Sequence, residues 1–216
     1  VLFKRYMIRE YFSNDILTLL LLTSILLIIL FKKINNQIFF LTVSIQKKNL
    51  LNKLSNNDNL SIHFISFGYS IIFLVNLSIL FTVFLENKFK IEVFKSLITY
   101  FTIFYIIKYF FERFIGWLFK FRRVSKNYLY AKFVFNNSLG LLILALNLLI
   151  VYNTIFGGKL VYISLAIALL FLIISYFYIF FSFKKLVYKN WFYFILYLCT
   201  LEIIPYYYII NEILNV

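Results

Sequence analysis

Four long runs without a charged residue constrain this chain more than any other feature of its sequence. These runs are 16–31, 59–85, 133–158 and 160–183. Each approaches or exceeds the roughly 18 apolar residues that mark a helix able to cross a bilayer. Since 63% of the residues are apolar or aromatic and only 14% are charged, one soluble core could not enclose so much apolar surface. The sequence therefore predicts a polytopic membrane protein.

Two further apolar runs, 96–118 and 191–213, are long enough to span a bilayer but carry charge near their middle. We therefore predict an all-α fold: a polytopic membrane helical bundle of six transmembrane helices, in a single domain 1–216 with no soluble domain. The predicted spans are 16–31, 62–84, 96–118, 134–155, 160–182 and 191–213. The predicted cytoplasmic connections are 32–61, 119–133 and 183–190.

The first predicted span is the shortest of the six. Its 16 residues reach about 24 Å against a hydrocarbon core of about 30 Å, so flanking residues must complete it. A signal peptide is the alternative for residues 1–31. However, no small-residue cleavage site follows, and Lys32 and Lys33 occupy its place.

Lysine and arginine are unevenly divided between the two sets of connections. The connections after spans one, three and five hold thirteen, and the opposite side holds seven. This bias predicts that the odd connections are cytoplasmic and that both termini face outward. Anionic lipid headgroups then account for the net charge of +14 without a nucleic-acid partner. The predicted headgroup contacts are Arg113, Lys120, Arg122 and Arg123.

Ionisable residues inside spans three and six are the leading candidates for function, because each costs about 2.5–3.5 kcal/mol at mid-helix. Lys108 and Glu202 both lie about 16 Å from the cytoplasmic end, so the two can pair. Alternatively, Lys108 pairs locally with Glu112, four residues away. Glu202 would then stand alone as a protonatable group beside Pro205, whose ring frees a backbone carbonyl.

Span four carries a set of amides and a glycine. Asn136, Gly140 and Asn147 share one helix face, and Asn137 lies beside it. Amides and small residues are typical of helix–helix contacts in membranes, so we expect this face to point into the bundle. Gly116 in span three is predicted to allow a similar close approach.

Signatures of catalysis and of cofactor binding are missing from the sequence. It contains no glycine-rich phosphate loop and no cluster with metal-ligand spacing, and His63 and Cys199 are the only residues of their kinds. We therefore expect no metal, no cofactor and no enzymatic activity.

The C-terminal run reads FILYLCTLEIIP from Phe194 to Pro205. It resembles the hallmark end of the DUF4271 family, whose last span reads approximately F-x-L-Y-L-C-x-L-E-I-x-P. The opening SNDILTLLLL, Lys108 ahead of Gly116, and Asn137 with Gly140 support the resemblance. One departure is the absence of a proline after the leucines of span four. The resemblance implies an uncharacterised protein of the inner membrane of Bacteroidota, with both predicted outward termini in the periplasm.

Two functions remain open on these grounds. The first is a non-enzymatic subunit or assembly factor of a membrane complex, which associates with a membrane-protein partner or with itself. The second is a small proton-coupled transporter or ion-translocating component that uses Glu202. An intramembrane enzyme is a third and weaker possibility.

Overall fold

The computed structural model describes residues 15–34, 60–86, 88–118, 122–152 and 159–182. Side chains are described for 15–34, 65, 67–86, 88–111, 131–152 and 159–178. Every regular element in these ranges is an α-helix. The five helices are α1 (Asp15–Ile34), α2 (Leu60–Glu86), α3 (Ile91–Leu118), α4 (Arg122–Tyr152) and α5 (Lys159–Ser182). All five are long and apolar enough to cross a membrane.

The helices overlap the first five predicted spans, and all five begin before the predicted start. α1 has 20 residues and reaches about 30 Å, which removes the shortfall expected for the first span. α3 begins five residues before the predicted span and α4 twelve residues before it. The predicted connection 119–133 is therefore helical from Arg122 onward. The predicted sixth span, 191–213, lies outside the described residues.

α2 and α4 form the inner pair of the bundle. In its most apolar stretch, α2 is 61% buried and α4 is 50% buried, whereas α1, α3 and α5 are each 22% buried. The main hydrophobic cluster joins all five helices around the inner pair. Its most deeply buried members are Leu17, Ile79, Leu80, Leu139 and Ile143.

Interhelical contacts fix the direction of each helix. Ser70 contacts Asn137, and Asn76 contacts Asn147, so α2 and α4 run parallel. α1 is antiparallel to α2, because Asn76 contacts Ser24 while Tyr69 contacts Phe31.

The remaining helices also alternate in direction. Phe81 contacts Phe101 near the short α2–α3 connection, so α3 is antiparallel to α2. Phe135 near the start of α4 contacts Tyr178 near the end of α5, so these two helices are antiparallel as well. We call the end of the bundle where α1, α3 and α5 finish and α2 and α4 begin the basic end. Lys32 and Lys33 of α1 lie there.

Candidate functional site

Polar side chains on α1, α2 and α4 lie in the interior of the bundle. We call this set the polar seam. Its members are Ser24, Ser70, Asn76, Ser78, Thr82, Asn137 and Asn147, all of which are buried. Because a buried polar atom in an apolar surrounding requires a hydrogen-bond partner, the partners show what these residues do.

Asn76 is the centre of the polar seam. It lies about 4.5 Å from the midpoint of α2 along the helix axis and is 0% exposed. Its amide nitrogen donates to the Ile72 carbonyl at 2.8 Å and to the Ser24 hydroxyl at 3.4 Å. The amide nitrogen of Asn147 donates to the Asn76 carbonyl at 2.9 Å and to its Oδ1 at 3.5 Å. One amide pair therefore connects three helices near mid-height.

The hydroxyl groups of the polar seam return most of their hydrogen bonds to their own helices. Ser78 donates to the Leu74 carbonyl at 2.8 Å, and Thr82 donates to the Ser78 carbonyl at 2.7 Å. Such back-bonding satisfies a hydroxyl without water, so these residues can be fully buried. Nearer the basic end, Ser70 instead donates to Asn137 Oδ1 at 3.3 Å and joins α2 to α4.

Gly140 allows α2 and α4 to approach closely beside the polar seam. A Cβ atom at this position would lie 2.8 Å from both Cα and Cβ of Phe73. The obstacle includes backbone, which cannot rotate away as the end of a side chain can. Gly68 has a different neighbour, because a Cβ there would meet the ring tip of Phe31. The sequence analysis singled out Gly140 but not Gly68.

Two buried oxygen atoms among the described side chains have no hydrogen-bond partner. They are the hydroxyl of Tyr69 and Oδ1 of Asn147. Tyr69 is 1% exposed and packs its ring against Phe31. Each atom can therefore form at least one more hydrogen bond inside the bundle.

Lys108 is a buried cation on α3. Only 8% of its surface is exposed, although both neighbours on each side are exposed. Its ammonium nitrogen lies 5.7 Å from the centre of the Phe104 ring, within the range of a cation–π interaction. Lys108 thus faces the protein and not the lipid.

Several residues predicted from the sequence lie outside the described side chains. Glu202, Pro205 and Cys199 belong to the predicted last span. The others belong to the end of α3, to the connection after it and to the start of α4: Glu112, Arg113, Gly116, Lys120, Arg122 and Arg123. Among the predicted amides, Asn137 and Asn147 are buried, while Asn136 is half-buried.

The sequence reasoning did not single out Ser24, Ser70, Ser78, Thr82 or Tyr69. A usable signal was present, since Ser70, Ser78 and Thr82 lie in one uncharged run at spacings close to whole helical turns. Among the described residues, no group of three His, Cys, Asp or Glu side chains comes together to hold a metal ion. The polar seam consists of neutral amides and hydroxyls, whose chemistry is hydrogen bonding between helices.

The Asn76–Asn147 contact predicts a measurable coupling. In a double-mutant cycle of Asn76→Ala and Asn147→Ala, we expect a coupling free energy of about 0.6 kcal/mol, because Asn76→Ala removes the Oδ1 acceptor at 3.5 Å but keeps the backbone carbonyl acceptor at 2.9 Å. Thermal or denaturant unfolding in detergent micelles provides the measurement. A matched cycle of Thr82→Ala with Asn147→Ala should give a coupling near zero, because Thr82 binds its own helix. Equal couplings in the two cycles would contradict the arrangement.

Five alternating helices with an apolar exterior and a polar interior contact define the class of a polytopic membrane protein. Within this class, the chain belongs to the family DUF4271, described as a domain of unknown function, whose model matches residues 16–213. The match covers nearly the whole chain, including the predicted sixth span. Neither a curated protein nor a solved structure matches the chain.

Proposed function

We propose that this protein is a non-enzymatic subunit or assembly factor of a complex in the cytoplasmic membrane. The observation that carries this proposal is the set of hydrogen-bond partners of the polar seam. In the described part of the chain, the hydrogen bonds of Ser24, Asn76, Ser78, Thr82 and Asn147 run between α1, α2 and α4 or back to the same helix. Polar groups committed to helix packing are those of a scaffold, whereas a transport path requires polar groups that can bind a solute.

The outer surface of the bundle is suited to partner helices as well as to lipid. α1, α3 and α5 present many large apolar side chains outward, among them Leu22, Phe110 and Leu170, which are each more than half exposed. Three separate outward faces allow the protein to bind a neighbour on one side while lipid covers the others. The partner is a membrane protein or a second copy of this chain.

In this proposal the chain crosses the membrane six times, with the basic end in the cytoplasm. Lys32 and Lys33 lie at the basic end, and the lysine-rich connections leave from the same end. Anionic lipids stabilise this orientation by about 1 kcal/mol per basic residue. Both termini then face the periplasm, and Arg113, Lys120, Arg122 and Arg123 contact headgroups.

The test is purification of the native complex. We expect the tagged chain, extracted in mild detergent, to retain a second polypeptide in constant ratio, measured by native mass spectrometry. Recovery of the chain without any stoichiometric companion, and as a monomer, would contradict the proposal. A tagged membrane protein of similar size, extracted in parallel, controls for adventitious association.

Alanine variants locate the binding face. Leu22→Ala, Phe110→Ala and Leu170→Ala each shorten one outward side chain on α1, α3 and α5. Because lipid tails are as apolar as these side chains, the variants should fold normally. Only the variant on the partner face should lose its companion, and retention by all three would place the interface elsewhere.

The burial of Lys108 supports a second candidate function, an ion-translocating component in which Glu202 takes up the proton. A cation held inside the bundle at mid-height is a common feature of proton paths. Liposomes containing the purified chain should then show proton flux that depends on pH and is lost in Glu202→Gln. Flux that is unchanged in Glu202→Gln would exclude this role for the carboxyl group.

A further inference from the structure

The outward face of α3 carries a row of exposed side chains at alternating spacings of four and three residues. The members of this row, which we call the α3 ridge, are Glu92, Ser96, Thr99, Ile103, Ile106 and Phe110. The same spacing separates the a and d positions of a coiled coil, which face a partner helix. The α3 ridge therefore has the geometry of a helix–helix contact, although it lies on the outside of the bundle.

The α3 ridge changes character along the helix. Its three members nearest the basic end are apolar, and each is about half exposed or more. The other three, Glu92, Ser96 and Thr99, are charged or carry a hydroxyl group, and Lys95 beside them is exposed as well. One half of the ridge is therefore polar, although it belongs to a helix that is apolar enough to cross a membrane.

α5 presents apolar side chains at the height of this polar half. Phe101, two residues from Thr99, contacts Phe81 of α2, and Tyr162 contacts α2 three residues further on. Because α3 is antiparallel to α2, Thr99 lies within about one residue of the height of Tyr162. There α5 exposes Tyr162 and Ile163, each by more than half. Lipid tails suit that surface of α5, but they offer nothing to the hydroxyl groups and charges of α3.

The polar half of the α3 ridge has unused capacity for hydrogen bonds and ion pairs. Within the part of the chain that the structure describes, the Ser96 hydroxyl forms no hydrogen bond, and neither Glu92 nor Lys95 forms an ion pair. The Thr99 hydroxyl donates to the Lys95 carbonyl at 2.9 Å and to the Ser96 carbonyl at 2.8 Å, so its oxygen can still accept. A hydroxyl donor and a hydroxyl acceptor therefore lie one turn apart on the outside of the bundle.

A second copy of this chain is complementary to the α3 ridge. Two copies inserted in the same orientation have parallel α3 helices, so a two-fold axis along the membrane normal brings each member of the ridge to its own counterpart. Ser96 and Thr99 then meet hydroxyl groups, which hydrogen bond across membrane helices. Each copy also contributes one carboxylate, Glu92, and one ammonium group, Lys95, to the same end of the contact, so the charges of the pair cancel.

We propose that the α3 ridge is the contact between two copies of this chain, which associate as a parallel two-fold dimer. Hydroxyl groups and opposite charges meet in the polar half, and Ile103, Ile106 and Phe110 pack against their counterparts in the apolar half. This inference rests on the proposed function, because it identifies the companion as a second copy. A companion of different sequence would contradict this inference and leave the proposed function intact, so the two tests fail separately.

Disulfide cross-linking in native membranes tests the contact and its register. In a Cys199→Ser background, Thr99→Cys and Ile103→Cys each place a thiol where the ridge meets its counterpart. The matched controls are Leu19→Cys on α1 and Ile163→Cys on α5, both more than half exposed. We expect oxidation to give at least fivefold more covalent dimer from the two ridge variants than from the controls. Equal yields at all four positions, or no dimer from either ridge variant, would overturn the proposal.

A bulky side chain in the ridge provides a readout that does not depend on cysteine. Ser96→Trp adds an indole ring where the two helices approach, and the chain should fold normally because Ser96 is exposed. We expect the dissociation constant of the dimer, measured by energy transfer between labelled copies in liposomes, to rise at least tenfold. Ile163→Trp on α5 is the matched control and should leave it unchanged. An equally stable dimer in Ser96→Trp, or native mass spectrometry that shows only a companion of different sequence, would overturn the proposal.

Discussion

Gly140→Ala is expected to lower the free energy of unfolding by about 1–3 kcal/mol, the usual cost of overpacking a tight contact. The added methyl group would lie 2.8 Å from Cα and Cβ of Phe73. Since one of these atoms is backbone, α2 and α4 must separate. Unfolding in detergent, followed by circular dichroism, measures the change. Shortening the neighbour with Phe73→Leu should not restore stability, because leucine keeps both atoms.

Gly68→Ala is the matched comparison for this prediction. The added methyl group there would meet Cζ and both Cε atoms of the Phe31 ring, and no backbone atom lies among these nearest neighbours. Phe31→Leu removes those atoms, so the double variant should recover stability relative to Gly68→Ala alone. If Phe73→Leu rescues Gly140→Ala equally well, the helices do not approach as closely as described.

Ile143→Ala is expected to lower the free energy of unfolding by about 2–5 kcal/mol, the range for large-to-small changes in a packed interior. Ile143 is 0% exposed and lies in the main cluster of α4. Its loss leaves a cavity that the surrounding helices can close only in part. The same unfolding measurement in detergent applies.

Leu170→Ala is the control for Ile143→Ala. Leu170 is 59% exposed on α5, where lipid replaces the contacts that the shorter side chain gives up. We therefore expect a change within about 0.5 kcal/mol. A large loss of stability in Leu170→Ala would show that this face packs against protein.

Hydrophobic runs allowed the five described helices to be predicted, because the thickness of the bilayer sets the length of an apolar helix. The helix starts were less accurate. Backbone hydrogen bonds set the boundaries of a helix, whereas the nearest charged residue sets the boundary of a predicted span. The helix α4 therefore begins at Arg122, before the charged residues that delimited the predicted span.

The parallel pairing of α2 with α4 could not be derived from the sequence. Ser70 meets Asn137 and Asn76 meets Asn147 across 67 and 71 residues, and periodicity within one helix contains no information about its neighbour. The inward position of Asn147 could be derived, because an amide in hydrocarbon requires a partner. Tyr69 was overlooked since a tyrosine in an apolar helix is as readily placed toward lipid headgroups.

The parallel inner pair has a consequence for biosynthesis. The partners Asn76 and Asn147 are separated by 71 residues, which a ribosome takes about 4–14 seconds to add. During that interval Asn76 has entered the bilayer with only Ile72 of its own helix and Ser24 of α1 as hydrogen-bond acceptors. Until α4 leaves the translocon, Asn76 of the nascent chain therefore lacks the hydrogen bonds that Asn147 donates. This favours retention of α2 beside the insertion machinery until α4 is inserted.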